Sequence, residues 1–102
     1  MYEINYTKKA IFELDWFSLY YLNTVPEGQK KAFLNLQKTL EVIALFPETG
    51  TMEDEGKYRT FNIKKTKFSL LYNFDGKTVN ILSVWDNRRN PIYKEFFWDD
   101  LL

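Results

Sequence analysis

The sequence contains no cysteine and no histidine. The first absence excludes disulfide scaffolds, thiol nucleophiles and zinc sites built on thiolates. The second removes imidazole-based triads, the usual transition-metal clusters and the commonest general acid–base. Glycine is scarce, and Gly28, Gly50, Gly56 and Gly76 stand too far apart to form a phosphate-cradling loop. The longest unbroken apolar run is Val42–Phe46, far below the ~18 residues a membrane span requires. No membrane partner is expected. Met1–Tyr6 shows no charged leader followed by an apolar stretch, so no signal peptide and a cytoplasmic location are expected.

An excess of one charge is also missing. Fourteen Lys and Arg balance fourteen Asp and Glu, which argues against a general nucleic-acid binder. The balance conceals a segregation. Residues 57–91 hold eight basic side chains (Lys57, Arg59, Lys64, Lys65, Lys67, Lys77, Arg88 and Arg89) against only Asp75 and Asp86. Such a block fits a basic face for an acidic or macromolecular partner. Lysines that discourage pairing at a sheet edge fit it equally. Glu53-Asp54-Glu55 lacks the spacing of a calcium loop and reads as a solvated loop. Asp99 and Asp100 are adjacent and point apart in regular structure, so they suit paired acid–base work poorly. No metal and no cofactor is expected.

What the chain has in quantity is aromatic and aliphatic surface. Of its 102 residues 45% are hydrophobic and 19% aromatic, enough for one dense core and a single domain over 1–102. Glu3–Tyr6 alternates as a short half-buried strand, and Thr7 is placed to cap a helix. Ala10, Leu14, Phe17 and Tyr21 recur at helical spacing, with Trp16 and Tyr20 beside them. Asn23–Pro26 breaks that helix, and Pro26 suits the first turn of a second. There Phe33, Leu36, Leu40 and Ile43 form the expected buried stripe, and Pro47–Gly50 ends it. From Tyr58 the rhythm becomes that of strands: 58–63, 68–74 with an Asp75-Gly76 turn, then 78–85 as a central strand. Ile92–Leu102 reads as a terminal helix or strap. The expected fold is α+β, a short N-terminal strand and an αα-hairpin packed on one face of an antiparallel sheet.

Basic and aromatic residues carry whatever chemistry there is. Lys64, Lys65 and Lys67, then Arg88 and Arg89, then Tyr93 would meet if the last three strands lie side by side. RNA cleavage needs neither metal nor histidine. The ribose 2′-OH is the nucleophile, a Lys or Tyr moves its proton, and cations neutralise the phosphorane. The same side chains could instead hold phosphates or an acidic protein surface without reaction. Phe12, Trp16, Phe17, Tyr20 and Tyr21 give the first helix more aromatic surface than one stripe uses. Either the core face is wide or some of these rings await a partner segment.

An ordered set of motifs runs along the chain: the Ala10-centred helix, the Phe46-Pro47-Glu48-Thr49-Gly50 helix exit, Tyr58-Arg59, Phe68–Tyr72, and Ile81–Asp86 followed by Asn87-Arg88-Arg89-Asn90-Pro91. By this set, over about residues 4–93, the chain resembles the RelE/ParE superfamily of toxins from type II toxin–antitoxin systems, nearer the ParE-like branch. The resemblance implies a cytoplasmic, growth-inhibiting toxin of the plasmid-stabilization kind, held inactive by a cognate antitoxin, as a homodimer or in a hetero-oligomer with it. The ribosome-dependent messenger-RNA nucleases of the RelE branch have a Lys-Ile-Lys strand, which here is Asn62-Ile63-Lys64. Their mid-strand arginine falls on Ser69, their arginine after the third strand on Asn87 beside Arg88, and their tyrosine on Tyr93. Only Lys64 and Tyr93 match. Each missing cationic donor is commonly worth ~3 kcal/mol in the transition state. The resemblance therefore implies a ParE-like toxin that binds DNA gyrase without chemistry, through target-binding candidates Arg59, Lys64, Lys65, Lys67, Arg88 and Arg89. A metal-independent endoribonuclease acting on ribosome-bound messenger RNA would instead use Lys64, Arg88, Arg89 and Tyr93. Phe12, Trp16 and Tyr20 are the antitoxin-binding candidates.

Overall fold

The computed structural model describes residues 1–24 and 26–94. The order is β1 (Glu3–Tyr6), α1 (Lys8–Thr24), α2 (Pro26–Leu45), β2 (Thr51–Glu53), β3 (Tyr58–Asn62), β4 (Phe68–Phe74) and β5 (Thr78–Asp86). Thr7 joins strand to helix as its sequence position suggests. Its N–H donates to the Ile81 carbonyl at 3.1 Å, and its hydroxyl donates to the Leu82 carbonyl at 3.0 Å. That hydroxyl also accepts the Ala10 N–H at 3.1 Å, satisfying one of the orphan donors of the first helical turn. Residues 91–94 form a short 3₁₀ turn where a terminal helix or strap was expected, and the rest of that segment, 95–102, lies outside the described residues.

The α+β expectation holds, with two differences in the sheet. Its five strands run β1-β5-β4-β3-β2. β1 pairs parallel to β5, Glu3 opposite Thr78 through Tyr6 opposite Ile81, so the sheet is mixed and not wholly antiparallel. Between β1 and β5 the chain passes through both helices and β2–β4, far more than the dozen or so residues a parallel connection needs. The second difference is β2. Thr51-Met52-Glu53 pairs antiparallel with Thr60-Arg59-Tyr58, so Glu53 belongs to a strand while Asp54 and Glu55 sit in the turn with positive φ. Three residues ending in an acid are too few to display a two-residue period.

One layer of core lies between helices and sheet. Phe17 of α1 meets Phe68 edge-on at 5.1 Å between ring centroids, above Leu70, Tyr72, Val79, Ile81 and Val84. Of the expected α1 stripe, Ala10 and Phe17 are buried and Leu14 and Tyr21 half-buried against the same core. α2 is turned from expectation: its buried line is Ala32, Leu36, Thr39 and Ile43, while Phe33 is 41% exposed and Leu40 half-buried. Small Ala32 and Thr39 let the helix approach the core closely, and the Thr39 hydroxyl donates to the Asn35 carbonyl at 2.7 Å. A second cluster, Tyr58, Leu71, Leu82 and Trp85, is separate from the first. β5 reaches both clusters through a bulge. Leu71 pairs with Ser83 and Tyr72 with Ile81, so Leu82 is the extra residue.

The helix exit is locked from the sheet. The Tyr72 hydroxyl accepts the Gly50 N–H at 2.9 Å and donates to the Pro47 carbonyl at 2.9 Å. A Cβ on residue 50 would lie 2.7 Å from that hydroxyl, which is why glycine stands there. Arg59 Nη1 donates to the Glu48 and Gly50 carbonyls at 3.1 and 2.8 Å. Phe46–Gly50 and Tyr58-Arg59, read apart in the sequence, are thus joined as one structural unit.

Candidate functional site

The cationic candidates divide. Arg59 holds the helix-exit loop at the start of β3, whereas Lys64 and Lys65 follow the other end of that strand. The β3–β4 turn is tight. Ile63 N–H donates to the Phe68 carbonyl at 2.9 Å, the Thr66 hydroxyl donates to the Ile63 carbonyl at 2.7 Å, and Lys65 adopts φ +60°. Lys64, Lys65 and Lys67 are exposed on it. The Asn87 N–H donates to the Lys67 carbonyl at 2.8 Å, which sets the loop after β5 directly beside this lysine turn.

The two arginines of that loop have different surroundings. Asp86 Oδ1 accepts both the backbone N–H and Nε–H of Arg88 at 2.9 Å, and Oδ2 accepts Nη2, a bidentate ion pair. The Arg88 guanidinium lies 4.3 Å from the Tyr20 ring centroid, against α1. Its hydrogen bond from Arg88 holds the Asp86 carboxyl below the usual carboxylate range. Arg89 instead stacks 4.6 Å from the Trp85 ring and 6.0 Å from that of Tyr93. Of the four nuclease candidates, the structure thus joins Arg89 to Tyr93, sets Lys64 on the neighbouring turn, and pairs Arg88 with Asp86 and Tyr20.

Beside the lysine turn three neutral side chains converge. The Ser69 hydroxyl donates to Asn87 Oδ1 at 2.9 Å, Asn87 Nδ2 donates to Asn62 Oδ1 at 2.9 Å, and Asn62 Nδ2 donates to the Ile63 carbonyl at 3.1 Å. The resemblance to the nuclease branch implies cations at these three positions and at Lys64, and of the four only Lys64 is a cation here. The three form an uncharged relay in which each side chain donates a hydrogen bond.

A groove runs along the other side of β5. β1 stops at Tyr6, so β5 loses its edge partner beyond Ile81, and α1 supplies a substitute. Glu13 Oε1 accepts the Ser83 hydroxyl at 2.8 Å and the Val84 N–H at 3.2 Å, while Oε2 pairs with Lys9 Nζ at 3.1 Å. A cavity of about 310 Å³ follows, lined by Lys9, Phe12, Glu13, Trp16, Phe68, Val84, Asp86 and Arg89. Phe12 and Trp16 are 74% and 61% exposed. Tyr20, one helical turn on, is half-buried between Arg88 and Phe68 and does not line the groove. Among the described residues no group of three or more carboxylates is arranged to hold a metal ion, and no helix is long and apolar enough to cross a membrane.

This framework of helical hairpin, five-stranded sheet and basic loop after the last strand matches a known family. The family model for the ParE toxin of type II toxin–antitoxin systems, parDE, covers residues 4–91. The chain belongs to the ParE toxin family. A solved structure of the chromosomal ParDE toxin–antitoxin system from P. aeruginosa contains a similar chain, with a TM-score of 0.68 and 25% identity over 82% of this chain and 94% of that one. No curated protein matches the sequence. The ParE-like expectation from the sequence is thereby met.

In this ParE-family chain, Lys9, Glu13 and Val84 are site residues that the sequence reading missed. Lys9, Glu13 and Trp16 recur at helical spacing, but nothing in a sequence reveals which strand edge lies open beneath them. Asp86 offers a pH test. A carboxyl held low in the folded state stabilises above its unfolded pKa of about 4, and that contribution disappears as pH falls through the lower folded value. Asp86→Asn is therefore expected to melt below the wild type at neutral pH, with the gap closing under acid conditions. Thermal melts across that range measure it.

Proposed function

We propose that this chain is the growth-arresting half of a toxin–antitoxin pair, that it acts in the cytoplasm on DNA gyrase by binding alone, and that its α1–β5 groove receives the antitoxin. The observation that carries the absence of chemistry is the Ser69–Asn87–Asn62 relay. A phosphorane developing over this sheet would meet amides and a hydroxyl at positions where a nuclease needs cations, and each such group is commonly worth ~3 kcal/mol. The lysine turn is a cationic surface suited to an acidic protein partner, where rim charges govern the rate and salt dependence of encounter. Phe12 and Trp16 beside a groove suit an amphipathic segment that orders on binding. The naming of the P. aeruginosa structure as a ParDE toxin–antitoxin system supports that partner.

Purified protein is expected to stop gyrase supercoiling at stoichiometric amounts, while leaving messages on translating ribosomes intact. Changing Lys64, Lys65 and Lys67 together to Glu is expected to weaken inhibition about tenfold, most at low salt. A nuclease reading draws on the Arg89–Tyr93 contact. Cleavage in the ribosomal A site by toeprinting, lost in Tyr93→Phe, would establish it and remove gyrase as the target.

A further inference from the structure

α2 carries a second patterned face. Opposite its buried line stand Lys30, Leu34, Gln37 and Glu41, all exposed. Their spacing of four, three and four residues reads the same from either end. Leu34 is 48% exposed, and Phe33 and Leu40 flank it along an open groove of about 430 Å³. A cation closes one end of this stripe and an anion the other.

We propose that this face docks on the same face of a second copy, α2 antiparallel to α2, about a two-fold axis between Leu34 and Gln37. The charges select the arrangement. Antiparallel pairing sets Lys30 against the partner's Glu41 at both ends, and Leu34 beside the partner's Gln37 near the axis. A parallel pair would oppose Lys30 to Lys30 and Glu41 to Glu41. Opposite signs at the two ends of a palindromic stripe are what a self-complementary two-fold contact requires. Ridge-into-groove packing of two such helices brings their axes to about 8–10 Å. A 20-residue helix is about 30 Å long and some 10 Å across, a footprint on the order of 300 Å² per copy. Stable specific interfaces bury roughly 800 Å² per partner and permanent ones more, so this dimer is reversible and forms at high concentration. Neither Phe12 and Trp16 nor the lysine turn contributes to this face.

Sedimentation equilibrium of the full chain over a range of concentrations tests the proposal, with circular dichroism reporting that each variant is folded. The wild type is expected to show a monomer–dimer equilibrium that tightens at low salt. Lys30→Glu converts two attractive pairs into two repulsive ones and is expected to weaken association about tenfold. Adding Glu41→Lys to it is expected to restore the wild-type constant, and Leu34→Asp to abolish the dimer. A single monomer mass at every concentration would overturn the proposal. So would a dimer indifferent to Lys30→Glu and Leu34→Asp, or a charge exchange that fails to restore it. Gyrase inhibition is not among these readouts, so failure here leaves the toxin reading standing.

Discussion

Phe17→Ala is expected to lower the unfolding free energy by about 3–5 kcal/mol, the usual cost of emptying a buried aromatic site. Phe17 has no exposed surface and touches Tyr21, Phe33 and Phe68 at centroid distances of 5.2, 5.9 and 5.1 Å. No other α1 ring contacts both α2 and the sheet in this way among the described residues. A domain of this size has roughly 5–15 kcal/mol in total, so one substitution removes a large share. Urea unfolding checks it: the midpoint should fall while the slope stays constant. Trp16→Ala is the control one residue away. Its ring is 61% exposed, and the expected change is within about 0.5 kcal/mol. Equal losses at the two positions would mean that α1 packs through another face.

Phe12 and Trp16 together separate stability from recognition. Phe12→Ala with Trp16→Ala is expected to weaken antitoxin binding about 100-fold or more, since aromatic anchors at interface centres commonly cost 2 kcal/mol or more each when truncated. The melting temperature should hardly move. Tyr20→Ala belongs to the other class: its ring supports Arg88 at 4.3 Å and meets Phe68 at 5.6 Å, so it should cost stability ahead of affinity. Titration calorimetry beside thermal melts measures both quantities for each variant. An unchanged antitoxin affinity in the double variant would move the antitoxin away from the α1–β5 groove.

Much of this fold is legible in the sequence. The α1 stripe, the Thr7 cap, the Asp75-Gly76 turn and the three long strands are local patterns, and local sterics and burial enforce them where they stand. In the turn, Asp75 Oδ1 accepts the Lys77 and Thr78 N–H groups at 2.9 and 2.8 Å, while Gly76 takes φ +94°. The α2 stripe was read one position off at Phe33. Periodicity shows that a helix has a wet and a dry side but not how closely a neighbour approaches, and close approach favoured Ala32 and Thr39. The candidate site was less legible. Asn62, Ser69 and Asn87 are scattered polar residues in one dimension, and become a relay only through the β3–β4 and β4–β5 registers.

Charge tells the same story at longer range. The sequence alone established a neutral chain with a basic block over residues 57–91, free of thiol and imidazole chemistry, because side-chain type does not depend on folding. It could not say which cations share a surface. Arg59 is engaged by two carbonyls of the helix exit, Arg88 by Asp86 and Tyr20, and Arg89 by Trp85 at the groove, while Lys64, Lys65 and Lys67 stand exposed together on one turn. Elements and their amphipathic faces are properties of neighbours along the chain, so the sequence determined them. Parallel pairing of β1 with β5 and the groove beside Glu13 join residues some seventy positions apart, and the bulge at Leu82 exists only in the register between β4 and β5. Their free energies depend on burial and hydrogen bonding that exist only once the whole sheet has closed on the helices, and there the tertiary structure decided.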